Sequence, residues 1–376
     1  MDQRPLDKLG APVSLLGFGF MRLPLLDDGS KGIDYPLAER LVWRAVAGGV
    51  NYFDTAWPYH EGESERFAGR VLGALPRDSY YLADKLPTWD MKERGDLDRV
   101  FEQQLEKCKV DYFDFYLVHC LNVANYDIML RLGLHDRLLE LKEGGRIRRL
   151  GFSFHDTPGL MERIVNGHEW DFAQIQLNYI DWETLDAKRL YELVTAKGIP
   201  VIVMEPVRGG ALATLTPEAR KVLRKTRPGA SAASWAIRYA ASLPGVMTVL
   251  SGMNSMEQVE DNLRALSPLE PLGATERSAL AEAAALYRAS GAIPCTGCRY
   301  CMDCPSGVDI PAVFDLYNQY RATGYRLAFD NNYRSLDEGR RARSCVACGE
   351  CMRHCPQGLE IPELLKQVAT EAEGQA

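Results

Sequence analysis

Eight of the ten cysteines lie between Cys295 and Cys355, and this clustering divides the chain before any other pattern is read. The first run is Cys295, Cys298, Cys301 and Cys304, followed by Pro305; the second is Cys345, Cys348, Cys351 and Cys355, followed by Pro356. Three thiolates spaced by two residues can wrap one cubane corner by corner. The fourth, placed before proline, points away and is free to ligate a different cluster. Zinc needs four ligands per ion and does not require three cysteines in a tight run. Disulfides suit short secreted chains, whereas this chain has 376 residues and no apolar leader. The spacing therefore implies two 4Fe–4S clusters. Crossed ligation is the natural wiring: Cys295, Cys298 and Cys301 with Cys355, and Cys345, Cys348 and Cys351 with Cys304. Uncrossed ligation stays open, because two residues rather than three precede Cys304.

Up to about residue 268 the pattern changes. Short apolar runs alternate with longer amphipathic ones. Expected strands are 13–20, 51–54, 80–85, 113–119, 149–153, 172–177, 200–204 and 245–250. Helix-like stretches fall near 35–48, 61–73, 96–108, 124–144, 157–167, 184–197, 231–242 and 255–266. Many of the strands are apolar throughout, as parallel strands covered on both faces are. Eight strand–helix units in this length predict an α/β fold, a (β/α)₈ TIM barrel. A doubly wound sheet would want a glycine-rich phosphate turn after the first strand. The segment GFGFMRLP has G-x-G but no third glycine.

Composition sets limits on partners. Hydrophobic residues make up 46% and charged residues 25%, with a net charge of −7. No broad basic surface is implied, so nucleic acid is not an expected partner. No apolar run approaches the roughly 20 residues a membrane span needs, so no membrane association is expected. The start, MDQRPLDKLGAPV, has no apolar signal core, and a cytoplasmic location is expected.

Three segments follow from this: a barrel over 1–272, a connecting helix over 273–290, and a small iron–sulfur domain over 291–376. The two cysteine runs share the ending C-P…I-P, a local duplication. Between them, IPAVFDLYNQYRATGYRLAF has helical periodicity. Arg334, Arg340, Arg341 and Arg343 precede the second run. They read as a solvated charged face, or as compensation for cluster charge and docking of an acidic carrier.

Four reactive side chains fall at or just beyond successive strand ends. Asp54 closes the second strand and Tyr59 follows it; Lys85 closes the third and His119 the fourth. Taken singly, each has an ordinary reading: a helix cap, a rim residue, a surface lysine, a core histidine. Together they mark the face where barrel enzymes place their chemistry.

The stretch NYFDTAWPYHEGESERFAGRVL around Tyr59 resembles the aldo-keto reductase signature. ADK at 83–85 and YLVH at 116–119 resemble two later motifs. GFSFH at 151–155, QIQLN at 174–178, EPVRGGAL at 205–212 and SGMNSMEQVEDN at 251–262 fall where that family holds its nicotinamide. With its cysteine tail the chain resembles the ferredoxin-tailed branch, and the tail resembles the all-helical two-cluster ferredoxin module. The resemblance implies hydride transfer between a carbonyl/alcohol substrate and NADP or NAD. Tyr59 would donate the proton, with its pKa lowered by Lys85; Asp54 would hold Lys85, and His119 would orient the carbonyl. Gln174 would meet the nicotinamide carboxamide, with Ser153 beside it. Gly252, Asn254, Gln258, Asp261 and Asn262 would form the adenosine-end motif. Phe154, Met204 and Gln258 depart from the family's common Asn, aromatic and Arg, which leaves NADP versus NAD open. Met21 and Arg22 are expected on the substrate side, and Trp57 and Trp89 as apolar wall.

Hydride transfer moves two electrons together, whereas clusters move one at a time. A converter is usually needed, and a flavin is the candidate, with no secure flavin motif in the chain. The leading expectation is an oxidoreductase whose clusters exchange electrons with ferredoxin or another carrier. The alternatives are a structural, redox-sensing or partner-docking tail, and a non-catalytic cofactor sensor, against which the complete set of four reactive residues argues.

Overall fold

The computed structural model describes residues 1–5, 12–27 and 32–373. Eight parallel strands close into a barrel. They are β3 (Leu16–Gly19), β4 (Tyr52–Asp54), β5 (Tyr81–Leu86), β6 (Phe113–Leu121), β7 (Ile147–Phe154), β8 (Phe172–Gln176), β9 (Val201–Met204) and β10 (Val246–Ser251). Each pairs with its sequence neighbour, and β10 closes the ring on β3 through Leu250–Gly17. An antiparallel pair, β1 (Gln3–Arg4) and β2 (Val13–Ser14), precedes it. The expected strand over 13–20 is thus divided. Ser14 turns its backbone N–H to the Asn51 side chain and its hydroxyl to the Leu16 carbonyl, so the ladder restarts at Leu16.

The barrel's interior is filled by large side chains. Tyr52 and Phe115 meet edge to face at 5.0 Å, and Phe115 and Phe172 at 5.1 Å. Ile202, Met247 and Leu250 complete the layer. Rings that size need room elsewhere, and Gly151 provides it: a Cβ there would lie 2.6 Å from both the ring and the carbonyl oxygen of Phe172.

Helices α1 (Tyr35–Ala47), α2 (Glu63–Leu72), α3 (Gly95–Cys108), α4 (Val123–Leu132), α5 (Leu134–Glu143) and α6 (Pro158–Gly167) follow the early strands. The helix expected over 124–144 is two helices, because Gly133 adopts φ 61° and ends the first. Short α7 (Asp181–Thr184) and α8 (Ala187–Thr195) come next, then α9 (Pro217–Thr226), α10 (Ala232–Ala241) and α11 (Met256–Ala265). Helix α9 was not among the expected elements. Its signal is Thr216–Pro217: the Thr216 hydroxyl caps the Ala219 N–H and proline sits in the first turn.

Two compact units emerge, Met1–Pro206 with Ile237–Pro271, and Val207–Ala236 with Leu272–Ala376. Sequence continuity assigns 207–236 to the barrel, but α9 packs along α12 (Ala274–Ala289) in the second unit, where Arg227 pairs with Glu276 at 3.3 Å. The second unit continues with α13 (Ile310–Thr323), α14 (Arg326–Ser335), α15 (Glu350–Arg353) and α16 (Ile361–Glu373). Val313, Phe314, Tyr317, Phe329, Leu365 and Val368 form its core, and most of the clustered cysteines pack against it. No helix among the described residues is long and apolar enough to cross a membrane.

Gly151→Ala should lower stability by about 1–3 kcal/mol, because β7 cannot retreat from the Phe172 backbone. A lower urea midpoint at unchanged slope is the expected result.

Candidate active site and cluster ligands

Asp54, Tyr59, Lys85 and His119 come together at the carboxyl ends of adjacent strands. Pleating decides which side chains reach the interior: in β5, Lys85 points in while Asp84 points out between α2 and α3. Lys85 is fully buried, and its Nζ donates to Asp54 Oδ1 at 2.7 Å and to the Thr55 carbonyl at 2.6 Å. It lies 4.8 Å from the centroid of the Tyr59 ring. Burial pushes the Asp54 carboxyl up, and the Lys85 charge and hydrogen bond pull it back down. A three-residue run of positive φ at His60, Glu61 and Gly62 turns the chain after Tyr59 and sets the phenol in the site.

His119 stands 6.1 Å from Tyr59, ring to ring, and 5.0 Å from Trp89. The register of β6 slips after Val118, and Cys120 takes φ 53°. That irregularity aims His119; such bulges recur beside active sites. It is held by the Cys120 N–H donating to Ser153 Oγ at 2.8 Å and by Asn125 Nδ2 donating to the Cys120 carbonyl at 2.7 Å.

The protonation pattern corrects one expectation. The net shift of the Tyr59 phenol is upward, where a lowering by Lys85 was expected. Burial pushes it well above its ordinary 10.0, and the charges of Asp54 and Glu205 push further, with Arg22 opposing. The physical reason is burial first; Lys85 meets the ring face, and its hydrogen bonds go to Asp54 and Thr55. Tyr59 is thus a phenol that keeps its proton. Burial, then the charges of Lys85 and His155, holds His119 well below 6.5, so it is a neutral imidazole.

Several participants were not singled out in the sequence, although Glu205, His155, Asp84, Tyr116 and Glu65 lie within the motifs quoted above. Glu205, with φ 53°, accepts from Arg22 at 2.7 Å, so Arg22 is committed to an ion pair between the ends of β3 and β9. His155 is half-buried beside the site, and desolvation lowers it to about 4. Behind Lys85 lies a buried polar network. Gln104 Nε2 donates to Asp84 Oδ1, Glu65 Oε1 and the Lys85 carbonyl at 3.1, 3.1 and 2.9 Å. The Tyr116 hydroxyl donates to Gln104 Oε1, and Asp84 Oδ1 accepts the Lys85 N–H at 2.8 Å. Burial and then Glu65 push Asp84 well above the carboxylate range, which favours its protonated form. Lys107 closes the network on Glu65 at 2.6 Å and sits 3.8 Å from the Trp57 ring centroid.

A nicotinamide fits the remaining residues. Gln174 Nε2 is turned to the Met204 sulfur, while its Oε1 is buried with no protein partner, an acceptor aimed at a missing amide donor. Ser153 keeps its hydroxyl proton to donate. Of the adenosine-end residues, Gly252 lies against the Arg22 stem, where a Cβ would approach to 2.9 Å. Gln258 accepts the Asn254 N–H at 2.8 Å, Asn262 is bonded to Ser251, and Asp261 faces Arg264.

Electrostatic interactions among the thiols reach across the two runs. Burial raises the Cys301 thiol to about 12, with Cys298, Cys295 and Cys355 as the neighbouring charges. Burial likewise raises Cys351, whose neighbours are Cys345, Cys304 and Cys348. The duplication extends to the backbone. Gly297 and Ala347, two residues past the first cysteine of each run, both have left-handed φ, 64° and 54°, and both donate N–H to that cysteine's sulfur. Thiols with N–H···S support are the ligand type that iron–sulfur clusters use, although among the described residues no three of them are drawn into a metal-binding group. Arg340 and Arg341 prove to be structural, the first paired with Asp309 at 2.5 Å and the second donating to the carbonyls of Leu336 and Arg334.

These protonation states set a pH dependence. A raised phenol stays protonated, and a lowered imidazole stays neutral, across the interval between their ordinary values, 10.0 and 6.5. Carbonyl reduction should therefore be level across that interval. Alcohol oxidation, which needs the phenolate, should climb with pH. Rate profiles in both directions check this, and a titration step near 7 in the reductive limb contradicts it.

Comparison with known proteins agrees with this geometry. The family model described as "Aldo/keto reductase family" matches residues 15–283, and that described as "4Fe-4S dicluster domain" matches 294–359. L-galactose dehydrogenase of Arabidopsis thaliana is 27% identical over 74% of this chain and 92% of its own. NADH-specific methylglyoxal reductase of Escherichia coli is 25% identical over 71% and 94%. The holo form of aldo-keto reductase AKR11C1 from Bacillus halodurans superposes with a TM-score of 0.62 at 25% identity, covering 75% of this chain and 96% of that one. The chain belongs to the aldo/keto reductase family, a family of oxidoreductases, and carries a C-terminal 4Fe–4S dicluster domain.

Proposed function

We propose that the protein interconverts a carbonyl and an alcohol with NADPH or NADH, and that two clusters exchange single electrons with a carrier. The observation that carries this reading is the convergence of Tyr59, Lys85, Asp54 and His119, with a phenol that retains its proton. A nicotinamide held here would supply the hydride. Gln174 and Ser153 would hold its carboxamide. The neutral imidazole of His119 donates to the carbonyl oxygen and orients it. Tyr59 gives that oxygen its proton. Lys85, over the ring face, stabilises the phenolate left behind, and Asp54 keeps the ammonium in place. Trp89, beside His119, offers an apolar wall to the substrate.

Cys295, Cys298, Cys301 and Cys355 would hold one cluster, and Cys345, Cys348, Cys351 and Cys304 the other. The clusters supply one-electron exchange. A flavin is the converter that hydride chemistry would need. A cavity of ≈790 Å³ in the second unit, lined by Cys295, Tyr320 and Phe329, shares no residue with the active site.

Tyr59→Phe should cut carbonyl reduction by about 10²–10⁴-fold, the range of a lost general acid, while nicotinamide binding measured by fluorescence stays intact. Retention of more than a tenth of the activity would assign the proton to another group. Anaerobically purified protein should carry about eight iron and eight labile sulfide per chain; zinc in their place would overturn the cluster reading.

A further inference from the structure

The two cysteine runs are duplicates in sequence and backbone, yet their loops differ in exposure. In the first, the residue after Cys295 is Thr296, which is 3% exposed. Gly209 packs on it so tightly that a Cβ there would fall 1.9 Å from the Thr296 carbonyl oxygen. In the second, the equivalent residue after Cys345 is Val346, which is 70% exposed. Cys348 is the one exposed cysteine of the eight; the other seven are half-buried. The second unit thus covers one ligand loop with its own chain and leaves the other bare.

What surrounds the bare loop is charged. Residues 334–354 hold five arginines against three acids, in a chain whose net charge is −7. Arg343 and Arg353 flank the cysteine run with side chains 44% and 74% exposed, each next to an acid, Glu338 and Glu350. An exposed valine at a cluster ligand loop, with a cationic rim, suits a brief encounter. The apolar tip excludes water at the point of closest approach, and the rim steers association.

We propose that the Val346–Cys348 loop, with Arg343 and Arg353, is the docking face for an acidic electron-carrier protein. The inference rests on the cluster and electron-exchange reading above. At this face the carrier and the cluster change by one electron each, in opposite senses, with no bond or proton transferred. The interface is of the small, transient class, below about 1,200 Å².

The test uses the cluster-loaded full chain and three redox probes: an acidic 2Fe–2S ferredoxin, basic cytochrome c, and methyl viologen, a mediator too small to need docking. Stopped-flow absorbance should show ferredoxin exchange that slows as salt is raised. Val346→Glu and the double variant Arg343→Glu/Arg353→Glu should each slow it by about tenfold or more, through association. Iron content and viologen exchange should stay at wild-type values. Should Val346→Glu lose iron, the arginine variant alone decides. Ferredoxin exchange unchanged by the variants, or cytochrome c favoured over ferredoxin, would overturn the docking face. A wild-type dimer that Val346→Glu makes monomeric in sedimentation would give the face to a second copy and also overturn it. Loss of viologen exchange in the wild type would instead sink the electron-exchange reading itself.

Discussion

A lysine ammonium buried inside a barrel is costly unless its charge is met, and the Lys85–Asp54 pair is the constraint to which the rest of the active site answers. Removing one partner of such a pair costs about 3–5 kcal/mol, because the other charge is stranded. The Thr55 carbonyl takes a second of the three ammonium protons, and the Tyr59 ring lies against the charge. At Tyr59 burial and the Asp54 and Glu205 charges outweigh the pull of nearby cations, so the phenol is raised rather than acidified.

Position demands support from outside the barrel. Strand alternation puts Asp84 on the opposite side of β5 from Lys85, and Gln104 on α3 ties Asp84, Glu65 and the Lys85 carbonyl together. Burial and the neighbouring Glu65 charge disfavour ionisation of Asp84. The network fixes the backbone at Lys85 from behind while Asp54 fixes its side chain from the front. His119 is placed by a different device, a left-handed cysteine that breaks the ladder of β6 and is over-determined by Ser153 and Asn125.

The second unit solves a different problem. Its apolar core is small, and each Cys–Pro ending is followed by a turn glycine, Gly307 or Gly358, and a helix opening on Ile–Pro. Across the duplicate, Cys301 feels Cys355 and Cys351 feels Cys304. Packing then breaks the symmetry of the duplicate, burying Thr296 and baring Val346.

Strand alternation, cysteine spacing and the four strand-end residues were legible in the sequence because each is a local periodicity or a fixed offset. The barrel, the helical tail and the residues of the tetrad follow from those. Other features depend on residues distant in the chain. The break at Ser14 needs Asn51, and the packing of α9 needs α12. The commitment of Arg22 needs Glu205, and the network behind Lys85 needs Gln104 between Asp84 and Glu65. Tyr59 is the clearest case. Its neighbours by motif are a lysine and an aspartate, and from the motif alone the cation would lower its pKa. Only the tertiary structure shows where the ammonium's hydrogen bonds go. Burial and charge act through distance in space, which no spacing in the sequence encodes.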